Sequence, residues 1–166
     1  MRTLIRRWLT PVPEVKGTHR LVNDAILEDD VLGQCKRRNE DDATFEALIK
    51  LDENDSVPVT FFAADPIEDT LAYVRAIVSV LSTNDARYRR YAAADVRQFF
   101  VDLNRGKPPA SVAEFASRMR LSHIIVYYPT PEEGANLWYT CDGLIPNSLV
   151  CVTLDHRRRF NGGGLG

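Results

Sequence analysis

The sequence contains few of the residues that build metal sites and disulfide frameworks. It has three histidines and three cysteines, Cys35, Cys141 and Cys151, in 166 residues. An odd number of cysteines without paired close spacing fits neither a disulfide framework nor a zinc site. We therefore expect buried, reduced thiols and no metal. The glycine run "GGGLG" does not join a strand to a helix, as a phosphate-binding loop must, so we expect no cofactor.

Long apolar runs are also missing. No stretch approaches the ~20 apolar residues of a membrane helix, and Arg6 and Arg7 interrupt the apolar residues of the opening "MRTLIRRWLTPVP". That segment is too short and too charged for the core of a signal peptide. A transit peptide is the less favoured alternative to a short terminal helix or an extension. We expect a cytoplasmic protein that does not bind membranes.

Charge is unevenly distributed along the chain. The formal net charge of −2 combines +4 over residues 1–23, −10 over residues 24–69 and +4 over residues 70–166. Such asymmetry bears on partners and association rates rather than on the fold. The acidic residues fall in turn-like stretches, "EDD", "NEDD" and "DENDS". Solvated turns are the simpler interpretation, and an acidic binding surface is the alternative.

The order of elements predicts one α+β domain. Residues 31–62 alternate apolar and polar side chains between polar turns, which indicates a strand meander with Pro58 at an edge or a strand start. Apolar residues at helical spacing follow, broken at "STND" into two helices, and "SVAE" is a capping box that opens a third. The strands "SHIIVYYPT", "LWYT" and "SLVCVTL" come last. We expect two to three helices packed on a mainly antiparallel sheet.

Domain boundaries follow from the same pattern. Residues 1–24 are expected to be an N-terminal extension or short helix, and residues 25–160 the single domain. Residues 161–166 are expected to be a flexible tail, because three consecutive glycines resist packing. No internal repeat or linker divides the chain.

Five motifs carry a resemblance. They are Leu32-Gly33 at the start of the meander, "YAAADV", "SVAEFASRMRLSHIIVY", "LWYTCDG" and "SLVCVTLD". Together they resemble a bacterial domain-of-unknown-function family, family 2262, over residues 30–160 and most specifically over 111–127 and 137–154. Members of that family continue the Trp-Tyr pair with acidic residues, a glycine, aromatics and a histidine, whereas this chain has "LIPNS" there. The resemblance implies a fold and a bacterial origin, and no mechanism.

The stretch "NLWYTCDGLIPNSLVCVTLD" at 136–155 is where a reactive cysteine would be sought. Asp142 beside Cys141 disfavours the thiolate, and the alternating faces with an Asp-Gly turn indicate a hairpin instead. An enzyme whose site is assembled from distant residues remains the alternative. Its candidate residues are His123, Asp142, Tyr139 and Arg97.

Nucleic-acid binding through arginines is a further alternative. The motif "RYRRYAAADVR" places Arg87, Arg90 and Arg97 near one another on a helix, with Tyr88 and Tyr91 between them. The motif "HRRRF" at 156–160 adds three positive charges. Arginines with aromatic residues suit phosphate contact and base stacking. Pairing with the acidic segment 24–69 would consume these charges, so nucleic acid is the less favoured partner.

The favoured hypothesis is a non-catalytic domain that binds one protein partner. A small domain with no catalytic constellation and a dense run of acids suits binding to a basic surface by complementary charge. The specific hypothesis is an immunity-type inhibitor that neutralises a basic bacterial toxin. Its partner-binding residues would be Glu40, Asp41, Asp42, Asp52, Glu53 and Asp55.

Overall fold

The computed structural model describes residues 15–38, 43–51, 55–103, 111–128, 134–141, 143–144 and 148–166. These residues form one sheet of nine strands and two helices. In chain order the elements are β1 (His19–Asn23), β2 (Ile26–Asp29), β3 (Gly33–Arg37), β4 (Thr44–Lys50), β5 (Ser56–Phe62), α1 (Ile67–Leu103), α2 (Val112–Ser117), β6 (Met119–Val126), β7 (Ala135–Cys141), β8 (Val150–Leu154) and β9 (Phe160–Leu165).

The sheet follows the order of the chain from β1 to β9. Neighbouring strands are antiparallel except β5 and β6, which run parallel. A parallel pair needs a long crossover connection, and α1 with α2 provides it. The sheet therefore consists of two antiparallel meanders, β1–β5 and β6–β9, joined by a helical crossover. The expected α+β class, with helices on a mainly antiparallel sheet, is confirmed.

Alternation along β4 and β5 sets the face of the first meander that packs on the helix. On β4, Phe45, Ala47 and Ile49 are buried while the residues between them are exposed. On β5, Pro58 is the third residue, and pairing with β6 begins one residue later, at Val59. Proline lacks the N–H that such pairing would use. Its position near the start of β5 is therefore compatible with a central strand.

The sheet covers α1 from more than one side. Five consecutive helix residues, Tyr73–Ile77, are all buried, which is more than one turn of 3.6 residues. Arg75 contacts Asp29 on β2, while Tyr73 contacts Asp155 just beyond β8. Strands from both meanders thus pack against opposite sides of the first half of the helix. No helix within the described ranges is long and apolar enough to cross a membrane.

The predicted break at "STND" is wrong, because α1 runs without interruption through it. The Ser82 and Thr83 hydroxyls donate to the helix carbonyls of Ser79 and Val80, at 2.7 and 3.2 Å. Asp85 forms an ion pair with Arg89 one turn later. Residues that favour turns in isolation therefore satisfy their polar groups within the helix. The prediction of a third helix is correct, since Ser111 caps α2 by accepting from the Glu114 N–H.

Both predicted ends of the domain need correction. The expected flexible tail at 161–166 largely forms β9, which pairs with β8. Gly163 allows the strand to approach the helix, because a Cβ there would lie 2.9 Å from the Cα of Ala92. At the other end, residues 19–23 of the expected extension form β1, paired with β2. Residues 1–14 lie outside the described ranges.

Candidate functional site

Most of the acidic residues predicted to bind a partner cannot be placed. Asp55 is exposed immediately before β5. Five others lie outside the described residues: Glu40, Asp41, Asp42, Asp52 and Glu53. The segments that contain them leave β4 at its two ends, which are roughly 20 Å apart at about 3.3 Å per residue. Only Asp55 of this set is described, so the acidic binding surface stays a prediction from the sequence.

The predicted enzyme residues do not converge among the described residues. Tyr139 is fully buried and faces α1, where its hydroxyl donates to Asp85 at 2.9 Å. His123 lies beside Trp138, its cross-strand neighbour, with ring centroids 5.6 Å apart. Trp138 and Tyr139 are consecutive on β7, so His123 and Tyr139 belong to opposite faces of the sheet. Asp142 lies outside the described residues, and Arg97 sits on α1 with its Nε buried.

The cysteines are structural in character. None of the three forms a disulfide, and Cys35 and Cys141 are buried. Burial, reinforced by the nearby Asp29 carboxylate, raises the pKa of Cys35 to about 12. Such a thiol stays protonated and unreactive near neutral pH. Burial also lowers the pKa of His123 below its ordinary value.

Two arginine-rich segments meet on one side of the molecule. The Tyr88 hydroxyl on α1 donates to the backbone carbonyl of Arg158, 70 residues later, at 3.4 Å. Next to it, the ring of Tyr91 packs on Phe160 with centroids 5.3 Å apart. We call the resulting region the arginine surface; it comprises Arg87, Arg90, Arg157, Arg158 and Arg159, of which Arg158 packs its guanidinium over the Tyr73 ring, 5.7 Å from the centroid, and has a buried Nε.

The turn that carries three of these arginines is held by its own aspartate. One carboxylate oxygen of Asp155 accepts from the Arg157 and Arg159 N–H groups, at 2.8 and 2.9 Å. Arg158 adopts the left-handed conformation, with φ of 61°. The Tyr73 hydroxyl donates to the Asp155 carbonyl at 2.9 Å. The backbone of the turn is therefore ordered by contacts within itself and with α1.

Positive charge exceeds negative charge across this region. Residues 85–97 and 155–159 together contain seven arginines and three aspartates. Each aspartate is already engaged: Asp85 with Arg89, Asp95 with the Gly163 N–H, and Asp155 within the turn. Within the part of the chain that the structure describes, no ion pair is formed by Arg87, Arg90 or Arg157. The region therefore carries an excess of positive charge.

The aromatic residues of "RYRRY" serve the fold rather than a stacking surface. Tyr88 is buried, and burial raises its pKa to about 12. Tyr91 is half-buried against Phe160, and its hydroxyl accepts from Arg87 Nε at 2.9 Å. The combination of arginine and accessible aromatic faces that single-stranded nucleic acids require is therefore not formed by these tyrosines.

A cleft of about 710 Å³ lies on the other side of α1. It opens between α1, the residues next to the end of β4 and the start of β5, and the start of β6. Its wall contains the ion pair of Asp85 with Arg89, at 2.9 Å, and Tyr139 donates to the second Asp85 oxygen. Burial and the Asp85 carboxylate raise the pKa of Tyr139 well above its ordinary value. Asp55 and Arg120 also line the cleft.

A buried ion pair between α1 and β2 was missed by the sequence argument, which placed "EDD" in a solvated turn. The side chains of Arg75 and Asp29 are 1% and 0% exposed. Both Arg75 Nε and Nη2 donate to one Asp29 oxygen, and the other oxygen accepts from the Val31 and Leu32 N–H groups. Every oxygen of the carboxylate is thus satisfied, and the pair joins the helix to the sheet.

Comparisons with protein-family models, with curated proteins and with solved structures gave no match. The resemblance to domain-of-unknown-function family 2262 therefore stays an expectation from the sequence motifs. The function has to be argued from the geometry of the described residues.

Proposed function

We propose that this protein is a non-catalytic binding domain that holds an acidic protein partner at the arginine surface. The observation that carries the proposal is the meeting of residues 87–90 with residues 157–159, which the Tyr88 hydroxyl joins through the Arg158 carbonyl. Two separate arginine motifs thereby contribute to one region whose nearby carboxylates are already engaged.

Arginine is well suited to this task. Its planar guanidinium binds carboxylates through two parallel hydrogen bonds, and it is enriched among the residues that dominate interface energies. Here the backbone of the 155–159 turn is fixed by Asp155 and by Tyr73 before any partner binds. Pre-ordering reduces the conformational entropy lost on association. The arrangement therefore favours specific binding over a loose electrostatic contact.

Two observations favour a protein over a nucleic acid. Tyr88 and Tyr91 are occupied by intramolecular packing, which removes them as stacking surfaces for bases. The chain as a whole carries a net charge of −2, which does not favour a long polyanion. A compact acidic surface on a folded partner would contact the arginine surface alone.

The inhibitor of a basic toxin is the competing version of this function. It needs Glu40, Asp41 and Asp42 to act with Asp52, Glu53 and Asp55 on one partner. This version predicts that the acidic residues, rather than the arginines, control binding.

Capture of partners by matched variants tests the proposal. The arginine variant carries Arg87→Gln, Arg90→Gln and Arg157→Gln. The control variant, Arg20→Gln with Lys36→Gln and Lys50→Gln, removes the same charge from β1, β3 and β4. We expect a stoichiometric acidic protein that is captured by the wild type and the control variant, and lost from the arginine variant. A partner retained by the arginine variant, or a bound fraction that nuclease removes, would overturn the proposal.

A further inference from the structure

The hairpin turn between β8 and β9 has an arginine at the position where glycine is usual. The Asp155 N–H donates to the Arg159 carbonyl at 2.9 Å, and the Arg158 N–H donates to the Asp155 carbonyl at 2.8 Å. The loop between the paired residues therefore has three members, 156–158. In such a loop a type I turn is followed by a residue in the left-handed conformation, where glycine is favoured because it has no Cβ. Arg158 occupies that place, with φ of 61°.

This backbone conformation is strained for arginine. A side chain brings the Cβ too close to the following carbonyl oxygen, and non-glycine residues keep such a conformation only where surrounding contacts hold them in it. Arg158 is the only non-glycine residue with a positive φ in the part of the chain that the structure describes. The contacts of Arg158 must therefore compensate for the strain.

Two tyrosines of α1 supply these contacts. The Arg158 guanidinium carbon lies over the Tyr73 ring, 5.7 Å from its centroid, a distance typical of a cation–π interaction. The Arg158 carbonyl accepts from the Tyr88 hydroxyl at 3.4 Å. Tyr73 is itself fixed, because its ring stacks on Tyr128 with centroids 4.8 Å apart and its hydroxyl donates to the Asp155 carbonyl at 2.9 Å. Arg158 thus attaches the turn to a well-packed part of the helix.

We propose that Arg158 is a positioning residue of the arginine surface, which holds the 155–159 turn against Tyr73 through its side chain and does not contact the partner by its charge. This inference rests on the proposed function. The residues on either side of Arg158 benefit, since the Arg157 and Arg159 N–H groups donate to the Asp155 carboxylate at 2.8 and 2.9 Å. Arg157 is exposed and contacts an acidic partner from a turn that is already ordered.

Hydrogen exchange of the Arg159 amide tests this role in the full chain without any partner. Arg158→Gln keeps the backbone strain and removes the guanidinium, whereas Arg158→Gly removes both. The control, Arg157→Gln, removes the same charge from the same turn. We expect the Arg159 protection factor to fall about fivefold in Arg158→Gln, through the loss of one cation–π contact. It should stay within about twofold of the wild type in the other two variants. An unchanged protection factor in Arg158→Gln, or an equal fall in all three variants, would overturn the proposal.

Binding of a hexaglutamate peptide separates position from charge. Arg158→Gln and Arg158→Gly lose the same charge, so a difference between them reports the conformation of the turn alone. With peptide added up to about 10 mM at low salt, we expect affinity within about twofold of the wild type for Arg158→Gly. Arg158→Gln and Arg157→Gln should each weaken binding by about threefold.

The two variants of Arg158 also provide the outcome that contradicts the proposal. Equal weakening by Arg158→Gln and Arg158→Gly would overturn the positioning role and make Arg158 a contact residue. Failure of the wild type to bind the peptide would count against the proposed function instead, and the Arg159 protection factors would then decide whether Arg158 holds the turn.

Discussion

The Tyr73 hydroxyl on α1 donates a 2.9 Å hydrogen bond to the Asp155 carbonyl, 82 residues later in the chain. This bond fixes the start of the turn that carries Arg157, Arg158 and Arg159. Gly134 makes it possible, because a Cβ there would clash with both the Tyr73 hydroxyl and the Asp155 carbonyl. The helix core and the arginine surface are thereby connected through one side chain.

Replacing Tyr73 by phenylalanine should loosen the turn while preserving the aromatic packing. We expect a loss of about 1 kcal/mol in the free energy of unfolding, the typical net value of one hydrogen bond. Amide hydrogen exchange at Arg158 and Arg159 should become faster. Tyr88→Phe removes the longer 3.4 Å bond and should have a smaller effect. Unchanged exchange at both amides would show that Tyr73 does not order the turn.

The glycines of β9 differ in their surroundings, so Gly162 and Gly164 serve as controls for Gly163. A Cβ on Gly163 would lie 2.9 Å from the Ala92 Cα and 3.2 Å from its Cβ, whereas Gly162 and Gly164 have nothing within 4 Å. Gly163→Ala should therefore destabilise the fold by about 1–3 kcal/mol through overpacking. Gly162→Ala and Gly164→Ala should stay within about 0.5 kcal/mol of the wild type. Denaturant unfolding of the three variants measures this, and equal effects would refute the close packing.

The ion pair between Arg75 and Asp29 should be costly to break. Asp29→Ala leaves the buried Arg75 guanidinium with only the more distant Glu68 carboxylate, at 3.8 Å, together with two unsatisfied N–H groups. We expect a loss of about 3–5 kcal/mol in the free energy of unfolding. Glu28→Ala breaks the exposed pair with Arg20 and should cost below about 1 kcal/mol. Similar melting temperatures for the two variants would contradict the importance of burial.

Alkaline pH should unfold the protein through its buried tyrosines. Burial raises the pKa values of Tyr73, Tyr88 and Tyr139 above their ordinary value of 10.0. The unfolded chain releases these phenol protons near pH 10 while the folded chain retains them, so stability is present below that pH and falls as pH rises above it. Melting temperatures between pH 8 and 11.5 should show this decline. If all six tyrosines absorb as tyrosinate while the protein remains folded, the predicted link between tyrosine ionisation and unfolding is contradicted.

The sequence predicted the elements whose patterns are local. Phe45, Ala47 and Ile49 alternate because only one face of β4 packs on the core, and the Ser111 cap is a neighbour interaction. The continuous helix through Ser82 and Thr83 and the packing of Gly163 on Ala92 depend on tertiary contacts instead. Turn-forming residues and glycines carry no local sign of such contacts. The same limit explains why the Arg75 pair and the cleft were missed.

The same difference between local sequence patterns and tertiary contacts applies to the candidate site. Sequence reasoning identified both arginine motifs, but it could not show that Tyr88 and Arg158 meet across 70 residues. It also grouped the acids of 39–42 with those of 52–55 by their closeness in the chain. Five of these six acids lie outside the described residues, so their grouping stays a prediction. Sequence motifs therefore gave both halves of the arginine surface but not their meeting.

Affinity of the captured partner for two charge variants is the most direct test of the account. One is the arginine variant, with Arg87, Arg90 and Arg157 changed to glutamine; the other carries Asp52→Asn, Glu53→Gln and Asp55→Asn. We expect the arginine variant to weaken binding by about 100-fold or more, as interface arginines often do, and the acidic variant to change it by less than about threefold. The reverse result would contradict the account and support an inhibitor that binds a basic partner through its acidic residues.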